Sequence, residues 1–170
     1  TTPTYIILAS IVAPALAQLG VPQLATHFFV FYYGVLADVT PPVALAAFAA
    51  AGIARSEPMR TGLTAFRLSM GKALVTFAFV YAPVLLFVNF NVATFAIALA
   101  GSVIAILGLG AAYTGHCRRP IGAPAFLALN VLSLSLVFGH PIVTLVGGSA
   151  VLAILAWHVR PLPAEPAGTA

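Results

Sequence analysis

The stretch Val92–Tyr113 constrains the fold most strongly, because it contains no charged residue and is apolar on all sides. A helix needs about 20 mostly apolar residues to cross the hydrocarbon core of a bilayer. A membrane β-strand would instead alternate apolar and polar residues over about ten positions. The stretch shows no such alternation. It therefore predicts a helix that is buried in protein or exposed to lipid, and it argues against a β-barrel.

The composition extends this interpretation to the whole chain. Hydrophobic residues make up 62% of the 170 residues and charged residues only 6%, whereas about a quarter of a soluble domain is charged. So few charges cannot cover a water-soluble surface. The net charge of +4 is spread over several places, which does not fit the clustered basic surface of a nucleic-acid-binding protein. We therefore expect an all-α membrane protein in contact with the lipid bilayer, with no nucleic-acid partner.

Hydropathy and turn signals predict about six helical segments. These segments are Thr4–Leu19, Leu24–Ile53, Ala73–Val88, Val92–Tyr113, Pro124–Phe138 and Ile142–His158. They divide the chain into an N-terminal unit of residues 1–54, a basic connection of residues 55–72 and C-terminal membrane helices of residues 73–160. The Pro- and Ala-rich residues 161–170 are predicted to be a disordered tail.

The basic residues predict the orientation. If each predicted segment after residue 72 crosses the membrane once, all Lys and Arg residues fall on one side of the membrane. These residues are Arg55, Arg60, Arg67, Lys72, Arg118, Arg119 and Arg160. The turns on the other side carry no Lys or Arg, so the positive-inside rule places the basic side and the C-terminus in the cytoplasm. Thr4–Leu19 then begins near mid-membrane, as the second arm of a re-entrant hairpin. Non-helical backbone at that depth must be buried or line a cavity.

Leu24–Ile53 is too long for one crossing and is interrupted at Asp38–Pro42. Two prolines remove two backbone donors, and Pro41 disfavours the helical conformation at Thr40. We expect the first half-helix to end near Ala37 and the second to begin at Pro41 or Pro42, since proline suits a first helical turn. The segment is thus predicted to be a discontinuous helix.

A broken helix exposes carbonyl groups at the C-terminal end of its first half, and its second half has a partial positive charge at its N-terminal end. The carbonyls from Leu36 to Val39 and the Thr40 hydroxyl suit a hard cation such as Na⁺, and the following N-terminus suits a carboxylate. Asp38 is the acidic residue within an apolar segment and is a functional candidate by default. It could shape an ion site, exchange protons, or only cap the second half-helix.

Other polar residues favour structural roles. His27 is expected to form a hydrogen bond at the membrane interface, with a place in the transport pathway as the alternative. Tyr32 and Tyr33 are expected to pack. Hydrogen bonds between helices are predicted for Asn130, Ser133 and Ser135, and close helix approach for Gly101, Gly108 and Gly110.

Several classes of function are excluded or disfavoured by the sequence. Neither a nucleotide-binding glycine motif nor a hydrolase or metalloprotease motif occurs, and three acidic residues leave little for acid–base catalysis. The single Cys117 excludes an intramolecular disulfide. The chain is therefore not expected to be an enzyme, and no cofactor is expected. The alternatives that stay open are a transporter and a non-transporting accessory or scaffold subunit, which would need no polar break.

The run from His27 to Ala54, with Asp38-Val-Thr-Pro-Pro42 at its centre, followed by Pro58–Leu68, resembles the large membrane subunit of tripartite ATP-independent periplasmic (TRAP) transporters. It is most similar to the fused permeases of the TAXI type. The opening residues 1–9 resemble the hairpin tip that precedes this run in the family. The resemblance covers residues 1–88 and is weak beyond Val92.

The resemblance implies a secondary transporter of the bacterial inner membrane, driven by a gradient of Na⁺ or protons. A periplasmic TAXI-type binding protein would deliver a small organic acid. In this family a hairpin tip and a broken helix bind ion and substrate together. Carried over, the ion ligands are Thr2, Ala37, Asp38, Val39 and Thr40, and the substrate ligands are Thr1, Thr4, Pro41 and Pro42.

A full permease of the family has two such repeats, whereas this sequence contains one tip and one broken helix. The opening Thr1-Thr2-Pro3-Thr4 lacks an initiator methionine. We therefore expect a C-terminal fragment or one piece of a split protein. Its partner would be the missing N-terminal permease portion or a small membrane subunit, and the chain alone should not transport.

Overall fold

The computed structural model describes residues 2–117 and 119–159 of the chain. Its helices are α1 Thr2–Gln18, α2 Gln23–Ala37, α3 Leu45–Ala54, α4 Pro58–Tyr81, α5 Val92–Thr114, α6 Ala123–Leu136 and α7 Pro141–Val159. A short 3₁₀ helix, Pro83–Leu86, follows α4. Two-residue strands β1 His116–Cys117 and β2 Arg119–Pro120 pair antiparallel between α5 and α6. The predicted all-α membrane architecture is confirmed.

Three of the described helices are long and apolar enough to cross a membrane by length and composition: α4, α5 and α7. Large apolar side chains point away from the protein along these and other helices. Among them are Ile11, Ile53, Leu107, Val131, Leu145 and Val146, each more than half exposed. Exposed apolar surface on this scale is unfavourable in water but suits contact with lipid.

Most predicted segments agree with the structure within two residues, but one is wrong at both ends. The segment predicted as Ala73–Val88 is the helix α4, which runs from Pro58 to Tyr81. It begins earlier because the Glu57 carboxylate accepts hydrogen bonds from the backbone N–H groups of Met59 and Arg60, which is a helix N-cap. It ends earlier because Pro83 disfavours helical geometry at the preceding residue. Residues 58–72, predicted as part of a basic connection, are thus helical.

Packing follows a simple order along the chain. Helix α1 packs on α2, α2 and α3 both pack on α4, α4 packs on α5, and α5, α6 and α7 pack on one another. The main core joins α4 to the three C-terminal helices and contains Leu74, Ala78, Ala105, Leu109, Leu129, Leu136 and Val151. No residue of α1 is buried. Helix α1 therefore lies at the edge of the molecule, whereas α2 and α3 are held by α4.

Candidate functional site at the break between α2 and α3

The chain leaves helical geometry between Asp38 and Ala44. Helix α2 ends at Ala37, as predicted, with Asp38 as its C-cap residue. Helix α3 begins at Leu45, so the predicted start at Pro41 or Pro42 is wrong. Ala44 adopts a left-handed conformation with φ of 37° and ψ of 39°, and a left-handed residue cannot continue a right-handed helix through the prolines.

The same turn corrects the capping role considered for Asp38. Ala44 takes the N-cap position of α3 and offers no side-chain cap. The backbone carbonyl of Asp38 accepts a hydrogen bond from the Ala46 N–H at 3.0 Å. The residue is half buried. Asp38 therefore ties the end of α2 to the first turn of α3 through its main chain.

The carbonyl groups at the end of α2 take part in a tight network. The Leu36 carbonyl accepts from the Val39 N–H at 3.1 Å and from the Thr40 hydroxyl at 2.6 Å. The Ala37 carbonyl accepts from the Thr40 N–H at 3.3 Å. Each carbonyl oxygen has two lone pairs, so the Leu36 carbonyl is fully used, whereas the Ala37 carbonyl keeps a second position for a ligand. Among the described residues, the Val39 carbonyl has no hydrogen-bond partner.

Helix α4 packs closely against the break at Gly62, a residue that the sequence analysis did not identify. A Cβ atom at this buried position would lie 3.1 Å from Pro41 Cγ and 3.1 Å from Phe48 Cε1. The absence of a side chain therefore lets α4 approach the break and α3 at once. A glycine inside an otherwise regular helix can mark close approach of another backbone or ring, and this is the signal that could have identified it.

Helix α1 brings the predicted hairpin tip to the same end of the molecule. It has 17 residues, α2 has 15, and the two run antiparallel across the turn Gly20–Pro22. The first residues of α1 therefore lie at the end of the pair where α2 stops. Thr2 is exposed and Thr4 is half exposed there. Thr1, also predicted in the site, lies outside the described residues.

The structure thus joins six predicted site residues in one turn: Ala37, Asp38, Val39, Thr40, Pro41 and Pro42. Pro41 faces Gly62, whereas Pro42 is exposed. Thr2 and Thr4 belong to the neighbouring helix. The turn offers backbone carbonyl oxygens and the Thr40 hydroxyl, which are ligands suited to a hard cation.

Comparison with known proteins decides the family. The model for the DctM component of the tripartite ATP-independent periplasmic transporters matches residues 1–94. The chain belongs to this family. No curated protein and no solved structure matches it.

The match spans α1 to α4 and the start of α5, so the break and the α1–α2 pair both lie in the part that defines the family. The chain is a permease component of a TRAP transporter, and this is a family of transporters and not of enzymes. Such permeases work in the inner membrane with a periplasmic binding protein and a small membrane subunit. Membership argues against the alternative of a non-transporting accessory subunit.

The polar residues of this permease outside the break form local contacts. His27 Nδ1 lies 2.8 Å from the Tyr5 hydroxyl, which links α2 to α1. The predicted hydrogen bonds between helices are wrong for Asn130 and Ser135, whose side chains donate to the Phe126 and Leu132 carbonyls of their own helix. Ser133 has no hydrogen-bond partner among the described residues.

Proposed function

We propose that this permease imports a small organic acid, driven by a Na⁺ gradient, with the α2–α3 break as part of the ion and substrate site. The observation that carries the proposal is the turn at Asp38–Ala44, where a helix ends, a new one begins, and oxygen ligands cluster. The Thr40 hydroxyl and the carbonyls of Ala37 and Val39 would bind Na⁺, with Asp38 beside them. A proton gradient is the alternative driving force.

The hairpin tip completes this proposal. Helix α1 begins at the end of the α1–α2 pair where the break lies, so Thr2 would add an oxygen to the ion site. Thr1, Thr4, Pro41 and Pro42 would contact the substrate. The start of α3 supports a carboxylate as the recognised group, because a helix N-terminus carries a partial positive charge.

The proposal also includes the protein that delivers the substrate and the orientation of the chain in the membrane. The family works with a periplasmic binding protein, and the likeness of residues 27–68 to fused permeases supports one of the TAXI type. Arg55, Arg60 and Arg67 are all exposed around the α3–α4 connection. This placement supports a cytoplasmic position for that connection and for the C-terminus.

The Thr40 hydroxyl provides the direct test. Thr40→Val keeps the shape of the side chain but removes the oxygen, whereas Thr40→Ser keeps the oxygen. Loss of one ion ligand, worth about 1.5–3 kcal/mol for a bond to a charged group, should raise the Na⁺ concentration for half-maximal uptake roughly tenfold or more. The assay measures uptake of radiolabelled organic acids into proteoliposomes that hold the full-length permease with both repeats, its small subunit and its binding protein.

The controls separate the ion site from simple misfolding. Thr40→Ser should keep a Na⁺ dependence close to that of the parent, and both variants should insert in normal amounts. If Thr40→Val and Thr40→Ser give the same Na⁺ titration as the parent, the ion-site assignment is wrong. Uptake that follows an imposed pH gradient without Na⁺ would replace Na⁺ coupling by proton coupling.

A further inference from the structure

A groove of about 640 Å³ runs along the first turns of α4. It is lined by Ser56, Glu57, Arg60, Thr61, Thr64, Ala65 and Leu68. Residues three or four apart share one side of a helix, and most of these side chains are exposed. Gly62, which packs against the break, lies on another side of α4. The groove therefore opens to the surroundings of the protein and is separate from the candidate ion and substrate site.

The groove contains two opposite charges, and within the described part of the chain their side chains form no ion pair. Glu57 and Arg60 are both exposed and lie one turn apart. The Glu57 carboxylate accepts hydrogen bonds from the backbone N–H groups of Met59 and Arg60, and it keeps further lone pairs. The Arg60 guanidinium has no hydrogen-bond partner among the described residues. Both charged groups are therefore open to a ligand.

The hydroxyl groups of the groove offer acceptors and not donors. Thr61 donates to the Glu57 carbonyl at 3.0 Å, and Thr64 donates to the Arg60 carbonyl at 2.9 Å. The Ser56 hydroxyl lies 2.8 Å from the Thr61 hydroxyl and is the donor there, because the Thr61 proton is already used. Each hydroxyl oxygen has two acceptor lone pairs. The groove thus combines one open cationic donor with several oxygens that suit a cation rich in N–H groups.

The chemistry of the groove changes in a fixed order along α4. Glu57 caps the helix, Arg60 lies about 4.5 Å further along the axis, and Leu68 lies about 12 Å beyond Arg60. Ala65 and Leu68 form the apolar end, where Leu68 is 64% exposed. Because α4 is long and apolar enough to cross a membrane, its capped end lies toward the headgroups and this apolar end toward the hydrocarbon core. A carboxylate, a guanidinium and apolar side chains therefore follow one another with depth.

We propose that the groove binds a phospholipid with an ethanolamine headgroup. The primary ammonium lies against the Glu57 carboxylate and the hydroxyl oxygens, the phosphate against the Arg60 guanidinium, and an acyl chain along Leu68. Hydrogen bonds between guanidinium and phosphate are charge-assisted and strong. The two opposite charges favour a zwitterionic headgroup over an anionic one, and choline is disfavoured because its quaternary nitrogen has no N–H to donate. The site involves no transported substrate, so it does not depend on the proposed function.

A series of lipids tests the proposal on the unaltered protein. The permease in detergent is mixed with phosphatidylethanolamine, its N-methyl and N,N-dimethyl forms, or phosphatidylcholine, all with the same acyl chains, and lipid retention is measured by native mass spectrometry. Retention should fall with each methyl group and be about three- to fivefold lower for phosphatidylcholine, as expected for an exposed ion pair. Equal retention across the series overturns the proposal. Stronger retention of phosphatidylglycerol than of phosphatidylethanolamine also overturns it, because the basic residues alone would then attract the lipid.

Three variants separate the two charges. Glu57→Gln should bring the ratio of retained ethanolamine to choline lipid to about one, whereas Arg60→Gln should lower the retention of both about threefold and keep their ratio. Arg67→Gln is the matched control and should change neither quantity, since Arg67 is exposed on α4 but does not line the groove. The ratio compares two lipids on the same protein, so a weaker N-cap in Glu57→Gln does not mimic the result. A parent-like ratio for Glu57→Gln, or parent-like retention for Arg60→Gln, overturns the proposal.

Soluble phosphoethanolamine carries the same two charges without acyl chains. At the concentration of the lipid it should not displace phosphatidylethanolamine, because it makes no contact with the apolar end of the groove. Displacement at that concentration would assign the groove to a small soluble ligand and overturn the lipid site.

Discussion

Replacing Gly108 by alanine should weaken the packing of α5 against α6 and α7, whereas the same change at Gly110 should stabilise α5. A Cβ at Gly108 would collide with the Ser133 hydroxyl and lie 3.0 Å from Val151 Cγ1. Real Cβ atoms rarely have neighbours this close. A Cβ at Gly110 would have no neighbour within 4 Å. The two glycines lie in the same helix and two positions apart, so they form a matched pair.

The expected magnitude follows from two opposing terms. Alanine in place of glycine in a helix interior gains about 1 kcal/mol, and this gain applies at both positions. Overpacking of a close-packed site costs about 1–3 kcal/mol, and this cost applies only at Gly108. Gly110→Ala should thus be stabilised by about 1 kcal/mol. Gly108→Ala should range from nearly neutral to destabilised by about 2 kcal/mol.

Thermal unfolding in detergent measures the difference. With about 2–4 °C per kcal/mol for a chain of this size, Gly108→Ala should melt at least about 2 °C below Gly110→Ala. Adding Ser133→Ala to Gly108→Ala should recover part of the loss, because it removes the atom that collides. Equal melting temperatures for the two glycine variants, or a higher one for Gly108→Ala, would refute the close packing of α5 on α6.

Two further predictions concern helix ends and orientation. Glu57→Ala should lower the melting temperature by about 2–4 °C, since loss of an N-cap costs about 1 kcal/mol; the conservative Glu57→Asp should lose less, and equal losses would contradict the capping role. The orientation is tested by single cysteines in a background with Cys117→Ser. A cysteine at Asn91 should react with an impermeant thiol reagent added from the periplasmic side. A cysteine at Arg119 should react only after the membrane is permeabilised. The opposite pattern would reverse the proposed topology.

Local signals explain why much of the fold could be predicted. The helix α5 was predicted as Val92–Tyr113 and runs from Val92 to Thr114. Asn91 caps its start through hydrogen bonds to the N–H groups of Ala93 and Thr94. Gly115 ends it in a left-handed conformation with φ of 72°. These signals lie next to the helix in sequence, so they need no knowledge of the remainder of the molecule.

The start of α4 shows where hydropathy misleads. Residues 58–72 contain Arg60, Arg67 and Lys72, which lowered the hydropathy and concealed the helix. The structure places these three side chains at exposed positions, while Gly62 and Ser69 face the protein. Charge on one side of a helix does not prevent helix formation. The N-cap at Glu57 with Pro58 after it was the stronger signal.

The sequence by itself determined that the chain is a membrane protein of helices and that α2 must stop before Pro41, because apolar length and proline chemistry act within a few residues. Tertiary structure decided the rest of the candidate site. The left-handed Ala44, the Asp38 carbonyl bonded to Ala46, and Pro41 packed against Gly62 each depend on contacts between separate elements. Which groups of the break stay open to a ligand is therefore a property of packing and could not be read from residue types alone.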